Sequence, residues 1–200
     1  ETNIIVPLAN ILRSNNYNVL PVLQTLLASA HFYDPLNMGC MIKSPVDWVT
    51  GIARVFGMGY PADVTIAYKV YSYMVTQAAA MQQDLGDPPS VAGWSAYYQS
   101  PQFYQVWINS DTLPRRTTFS NTLVRTGYKP TGFTYVIDSV AFTLNLSNSR
   151  DPDALIEGAA RLLFAIPITD GQKTFLKEFL NGGLPYIEWT EEWDDYLADP

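Results

Sequence analysis

Apolar side chains recur every three or four positions along most of this chain, which is the period of a helix that buries one face. In the first half, the pattern predicts helices over 4–14, 19–29, 45–56 and 62–85. In the second half, it predicts helices over 110–126, 138–146, 153–165 and 171–181, and a last helix that begins near Thr190. A further short helix is expected to open at Ser100-Pro101.

Residues that start helices stand at the same boundaries. The expected N-caps are Asn18, Ser44 and Ser110. Asp47 completes a capping-box-like S-x-x-D with Ser44, and Thr169 forms a second such pair with Gln172. Glycines at 57, 127 and 182–183 follow the last apolar position of their helices, where a left-handed residue ends a helix.

Residues 128–138 are the least regular part of the chain. Phe133, Tyr135 and Ile137 alternate with polar or β-branched neighbours, which permits a short strand but offers it no clear partner. We therefore predict an all-α fold, an irregular multi-helix bundle with long loops and at most a minor β element near 133–137. We expect a helical body over 1–128 and a smaller helical segment with an acidic tail over 129–200.

The charge of the chain limits its partners. It carries 19 Asp and Glu against 12 Lys and Arg, a net charge of −7. Many of these acids lie between Glu188 and Asp199, and no basic residue follows Lys177. We expect no nucleic-acid partner, because a phosphate backbone requires a basic face. No stretch approaches the roughly 18 apolar residues of a transmembrane segment, so none is expected.

Cysteine and histidine exclude several kinds of site. Cys40 and His31 are the only residues of their types, so an intrachain disulfide and a two-histidine zinc site are both impossible within this chain. No nucleophile elbow, phosphate loop or dinucleotide-binding glycine motif is present. We predict no catalytic residue, metal or cofactor here. We expect His31 to pack against its neighbours, with an acid–base pair with Asp34 as the alternative.

Three segments carry motifs in a fixed order. They read LLASAHFYDPLNMGCMIKSPVDW over 26–48, MQQDLGDPPSVAGW over 81–94 and WINSDTLPRR over 107–116. Together they resemble the bacterial domain-of-unknown-function family eighteen-hundred, over about residues 20–126. The chain departs from that pattern at Asp47, where Glu is commoner, at Pro114, and over 95–106, which looks like an insertion.

The resemblance implies a context but no mechanism. Members are usually longer and have a helical N-terminal half, so this chain is expected to be the C-terminal part of such a protein, and the missing half is its first expected partner. Members are mostly exported or envelope-associated, which implies a periplasmic, envelope or secreted location. The family has no established activity.

Lys43, Asp47 and Arg116 are the charged candidates for a binding site. Lys43 precedes Asp47 by four residues, and three interpretations remain open. In the first, it is a surface lysine that pairs with a carboxylate in the first turn of the helix. In the second, it lies in a cleft and binds an anion. In the third, it belongs to an ion pair that only fixes the loop. For Arg116, we expect a bidentate clamp on Asp47 or Asp84.

Trp94, Trp107 and Asn109 are the remaining candidates. In the structural interpretation, Trp94 packs into the helical core and so anchors its loop, and Asn109 caps or bridges backbone groups. In the binding interpretation, Trp94 and Trp107 line a groove with Tyr97 and Tyr98 that accepts a sugar or an extended peptide. Both interpretations require segments 86–94 and 107–116 to lie side by side.

The function expected from these features is that of a non-catalytic interaction or scaffold module in a larger exported or envelope-associated bacterial protein. Its expected partner is a protein or a glycan. The alternative is part of an enzyme or of a carbohydrate- or peptide-binding protein whose other site residues lie in the missing N-terminal half.

Overall fold

The computed structural model describes residues 2–94 and 103–199, and over these ranges the fold is all-α, as predicted. Its helices are α1 (Ile5–Ser14), α2 (Val19–Leu27), α3 (Pro45–Val55), α4 (Val64–Ala80), α5 (Thr112–Arg125), α6 (Ser139–Leu144), α7 (Pro152–Leu163), α8 (Asp170–Leu180) and α9 (Tyr186–Ala198). Two short 3-10 turns span Pro35–Asn37 and Phe103–Trp107. The predicted helix start at Ser100 lies outside the described residues. The chain divides after Cys40 into two compact units.

The first unit is a helical hairpin followed by a loop. Asn18 caps α2 as predicted, since its side chain accepts a hydrogen bond from the Leu20 N–H. Neither α1 nor α2 buries a residue, and Ile5 and Leu20 are each 59% exposed. If a neighbouring part of the protein is missing, the helices that packed on it should expose an apolar strip. Such a strip is present on α1 and α2. That the chain is a fragment stays a prediction.

The loop of the first unit does not hold the expected histidine contact. His31 is exposed, and its backbone carbonyl accepts hydrogen bonds from the Asn37 side chain and from the Asp34 N–H. The expectation of a packed imidazole is therefore wrong. The Asp34 carboxylate accepts from the Leu36 N–H at the start of the 3-10 turn, and among the described residues it forms no ion pair with the His31 imidazole.

The core of the second unit lies between α3, α4 and α5. Its most completely buried side chains include Val49 of α3, Val70 of α4 and Phe119 of α5. Ser44 and Asp47 form the predicted capping interaction at the start of α3. The same core takes in Tyr135 and Ile137, which follow α5.

A single antiparallel bridge closes the segment after α5. Tyr128 and Tyr135 exchange two backbone hydrogen bonds of 2.8 and 2.7 Å. The minor β element predicted near 133–137 is thus one isolated bridge within the described residues, and its partner is Tyr128. Gly127 makes this close approach, with a φ of +64°.

The C-terminal helices pack on α7. The Thr169–Gln172 capping box at the start of α8 is present as predicted. The expected start of the last helix at Thr190 is wrong, because α9 begins at Tyr186 directly after Pro185. Thr190 lies inside α9, and its hydroxyl donates to the Arg150 carbonyl at 3.2 Å. The predicted division of the chain at residue 128 stays a prediction.

The longest helix of the described ranges, α4, stops well short of the predicted residue 85. Over the same ranges, no helix combines the length and hydropathy that crossing a bilayer requires.

Replacing Gly127 by Ala tests the close approach of the bridge. A Cβ at this position would lie 2.7 Å from the Tyr135 carbonyl oxygen, on a backbone that already disfavours side chains. Gly57 is the matched control, because its φ is +60° and nothing lies within 4 Å of an added Cβ. Gly57→Ala should lower the free energy of unfolding in urea by about 1 kcal/mol, and Gly127→Ala by roughly 2 kcal/mol more. Equal losses would mean that the bridge does not constrain residue 127.

Candidate functional site

The C-terminus of α4 ends in a Schellman motif built on glutamine rather than glycine. Gln82 has a φ of +74°, its N–H donates to the Ala79 carbonyl, and the Gln83 N–H donates to the Ala78 carbonyl. A left-handed conformation costs a residue with a side chain roughly 1–2 kcal/mol. The side chains of Gln82 and Gln83 both accept hydrogen bonds from other segments at this strained turn.

The two glutamines connect the end of α4 to the starts of two other helices. Gln82 Oε1 accepts a hydrogen bond of 3.1 Å from Asn109 Nδ2, just before α5. Gln83 Oε1 accepts one of 2.9 Å from the Val46 N–H, in the first turn of α3. Three helix ends are therefore joined at one junction.

Asn109, and not the predicted Ser110, caps α5. Its Oδ1 accepts from the backbone N–H groups of Asp111 and Thr112, each at 2.9 Å. In return, the Asn109 N–H donates to Thr112 Oγ1, and that hydroxyl donates to the Trp107 carbonyl at 3.0 Å. Because Thr112 is fully buried, this exchange satisfies groups that water does not reach.

Arg116 occupies the centre of the junction and is only 6% exposed. Its Nη2 donates to the Lys43 carbonyl at 2.8 Å and to the Trp107 carbonyl at 3.3 Å. The expected clamp on Asp47 or Asp84 is wrong: peptide carbonyls replace the carboxylate. Its guanidinium lies 5.6 Å from the ring centroid of Trp48, which supplies a cation–π contact.

The hydrogen bonds of this guanidinium do not fully replace the water that it loses on burial. Desolvation lowers the pKa of Arg116 from its usual value. Its Nε is buried without a hydrogen-bond partner, and so is Nε1 of Trp48. Breaking one contact of such a group leaves buried donors and acceptors unpaired, which is costly.

Lys43 and Asp47 do not form the ion pair that their spacing suggests, within the described residues. The Asp47 carboxylate accepts from the Ser44 hydroxyl instead. The Lys43 ammonium lies beside Gly51, 3.8 Å from the position of an added Cβ. Lys43 belongs to the junction through its carbonyl, which binds Arg116.

A cleft of about 420 Å³ opens beside the junction, between the end of α4, the 84–94 loop and the 3-10 turn before α5. Its lining includes Gln82, Asp84, Asp87, Pro89, Trp94 and Trp107. Segments 86–94 and 107–116 thus meet, as both interpretations of the motifs require. Trp107 is buried in the wall, whereas Trp94 is half-buried and faces the cleft with part of its surface accessible.

The loop that forms the outer wall is held by its own turns. Asp84 Oδ1 accepts from the Gly86 N–H, and the Ser90 hydroxyl accepts from the Ala92 N–H. The Gly93 N–H donates to the Ser90 carbonyl, and Gly93 adopts a φ of +82° immediately before Trp94. Trp94 is therefore presented by a turn and not by a helix.

The predicted site residues separate into two groups. Trp94 and Trp107 line the cleft, and Asn109 borders it through Gln82. Arg116, Lys43 and Asp47 lie in or beside the junction instead, while Tyr97 and Tyr98 lie outside the described residues. Sequence reasoning missed Gln82 and Gln83, although the segment 81–94 that contains them was singled out as a motif. Within the described ranges, no three His, Cys, Asp or Glu side chains are grouped to hold a metal.

Comparison with known proteins gives one match. A family model described as "Protein of unknown function (DUF1800)" matches residues 1–189. No curated protein and no solved structure matches the chain.

Replacing Arg116 by Ala tests whether the junction depends on its guanidinium. The substitution leaves the Lys43 carbonyl without this donor, removes one of the two donors to the Trp107 carbonyl and creates a cavity. We therefore expect unfolding in urea to show a loss of about 3 kcal/mol. The neighbouring Arg115 is the control, because it is exposed and pairs with Asp111 one turn earlier on the surface. Arg115→Ala should leave the unfolding midpoint nearly unchanged, and an equal effect of both substitutions would contradict the assigned role of Arg116.

Proposed function

The chain belongs to the DUF1800 family of proteins of unknown function, and we propose that it is a non-catalytic interaction module of a larger exported or envelope-associated bacterial protein, with the cleft beside Trp94 as its binding site. One observation carries the proposal. The charged motif residue Arg116 and the amide of Asn109 bind backbone and amide groups inside the protein, and the adjoining cleft presents an aromatic ring beside carboxylates.

Carbohydrate is the ligand class that this cleft suits best. A sugar ring has an apolar C–H face that packs on an aromatic ring and a rim of hydroxyls that require acceptors and donors. Trp94 and Pro89 supply the apolar wall, and Gln82, Asp84 and Asp87 supply polar groups. The volume of about 420 Å³ falls within the range of small-molecule sites.

A basic extended peptide is the second candidate. Asp84 and Asp87 are both exposed, and neither forms an ion pair within the described residues. Two such carboxylates beside an aromatic ring also favour a lysine or arginine side chain. The two candidates differ in their response to salt, since only the attraction between charges is screened.

Trp94→Ala tests the site itself. We expect it to abolish binding of whichever probe binds the native chain, among neutral glucan and N-acetylglucosamine oligomers and a lysine-rich peptide, as measured by calorimetry. Stability should change little, because Trp94 is only half-buried. Val91→Ala is the control, because Val91 is fully exposed in the same loop and does not line the cleft. Unchanged binding by the Trp94 variant would overturn the assignment of the cleft.

Asp84→Asn distinguishes the two ligands and keeps the side-chain oxygen that accepts from Gly86. For an oligosaccharide, we expect a loss of roughly fivefold to tenfold from one weakened hydrogen bond, with little change between about 50 and about 500 mM salt. For the peptide, both the substitution and the added salt should reduce affinity strongly. A strong salt effect on the native chain would reject carbohydrate as the ligand.

A further inference from the structure

The second unit also has an apolar face whose residues do not line the cleft. Helices α7 and α8 enclose a groove of about 470 Å³ whose lining includes Leu155, Leu163, Leu176 and Phe179. A second cavity of about 340 Å³ adjoins it at Phe164 and Leu176 and extends along the connection between the two helices. We propose that this face, formed by α7, residues 164–168 and α8, pairs with the same face of a second copy of the chain.

The face contains both an open apolar groove and protruding phenylalanine side chains of a size to enter such a groove. Phe179 borders the groove and is 79% exposed, and Phe175, one turn earlier on α8, borders the adjoining cavity and is 66% exposed. In a two-fold interface, the same patch meets itself, so it must be complementary to itself. Protruding phenylalanines beside an open apolar groove meet that condition.

The exposed area agrees with what a stable pair requires. Six large apolar side chains on this face are each between a third and four fifths exposed: Leu163, Phe164, Ile166, Phe175, Leu176 and Phe179. They present on the order of 600 Å² of apolar surface per copy. A standard interface buries about 800 Å² per partner, and about 65% of a homodimer interface core is apolar. The face therefore supplies the apolar part of one interface of standard size.

The charges that join these two helices are neutralised within one copy. Glu157 and Asp153 of α7 pair with Lys173 and Lys177 of α8. Because these four charges are paired, they add little like-charge repulsion when two copies approach each other.

Phe179→Glu is the first experiment. The native chain should sediment as a dimer at about 100 µM and dissociate in the micromolar range, and Phe179→Glu should be monomeric at all concentrations with an unchanged helical circular dichroism spectrum. Leu113→Glu is the control, because Leu113 is a half-exposed apolar residue of α5 outside this face, and it should stay dimeric. A monomeric native chain, or a Phe179→Glu dimer, would overturn the proposal. So would a dimer that is lost in Leu20→Glu and kept in Phe179→Glu, because that places the contact on α2.

Cross-linking tests the symmetry of the pair without disturbing its charge. In a Cys40→Ser background, Phe175→Cys and Phe179→Cys lie on the proposed contact face, and Val64→Cys, at an exposed site on α4, is the control. Under mild oxidation, at least one of the two α8 variants should form a disulfide-linked dimer faster than the Val64 variant. Equal rates for all three variants would reject the face as the interface.

Discussion

The buried charge of Arg116 is the constraint on which the second unit depends. Arginine keeps its proton in proteins, so this guanidinium is charged although it is almost fully removed from water. With no carboxylate beside it among the described residues, it is stabilised by the carbonyls of Lys43 and Trp107 and by the face of Trp48. Those two carbonyls belong to the segments that lead into α3 and α5. The position of one side chain thereby fixes where two helices begin.

Helical periodicity predicted the elements well because it reports which face of a segment is apolar. The starts of α2, α3 and α8 follow from local capping chemistry, which is readable in Asn18, Ser44, Asp47, Thr169 and Gln172. The acceptors of Arg116 were not readable, because backbone carbonyls have no signature in a sequence, and the charge of Asp47 and Asp84 suggested a carboxylate. The role of Gln82 was missed because its contact with Asn109 spans 27 positions of the chain. The capping of backbone groups expected for Asn109 is local, and it is confirmed.

Periodicity also says nothing about what an apolar face contacts. The stripes of α3 and α4 are buried against each other, whereas α1, α2 and α8 have equally clear stripes and bury no residue. Large apolar patches on a folded protein are characteristic of interaction surfaces. Periodicity therefore predicts that α1, α2 and α8 each have an apolar face, but it does not predict that these faces stay exposed.

The junction also explains how the cleft can be rigid on one side and adjustable on the other. Gln82 is held by a strained helix end and by Asn109, and Trp107 is buried against α5, so this wall moves only if the junction opens. Trp94 and Pro89 belong to a loop whose hydrogen bonds in Asp84–Gly93 are short-range turns, and such loops open at little cost in free energy. At the proposed site, a ligand would therefore meet a preorganised wall formed by Gln82 and Trp107 and would order the loop that carries Trp94. Its affinity would then be limited by the ordering of the loop and not by distortion of the helical core.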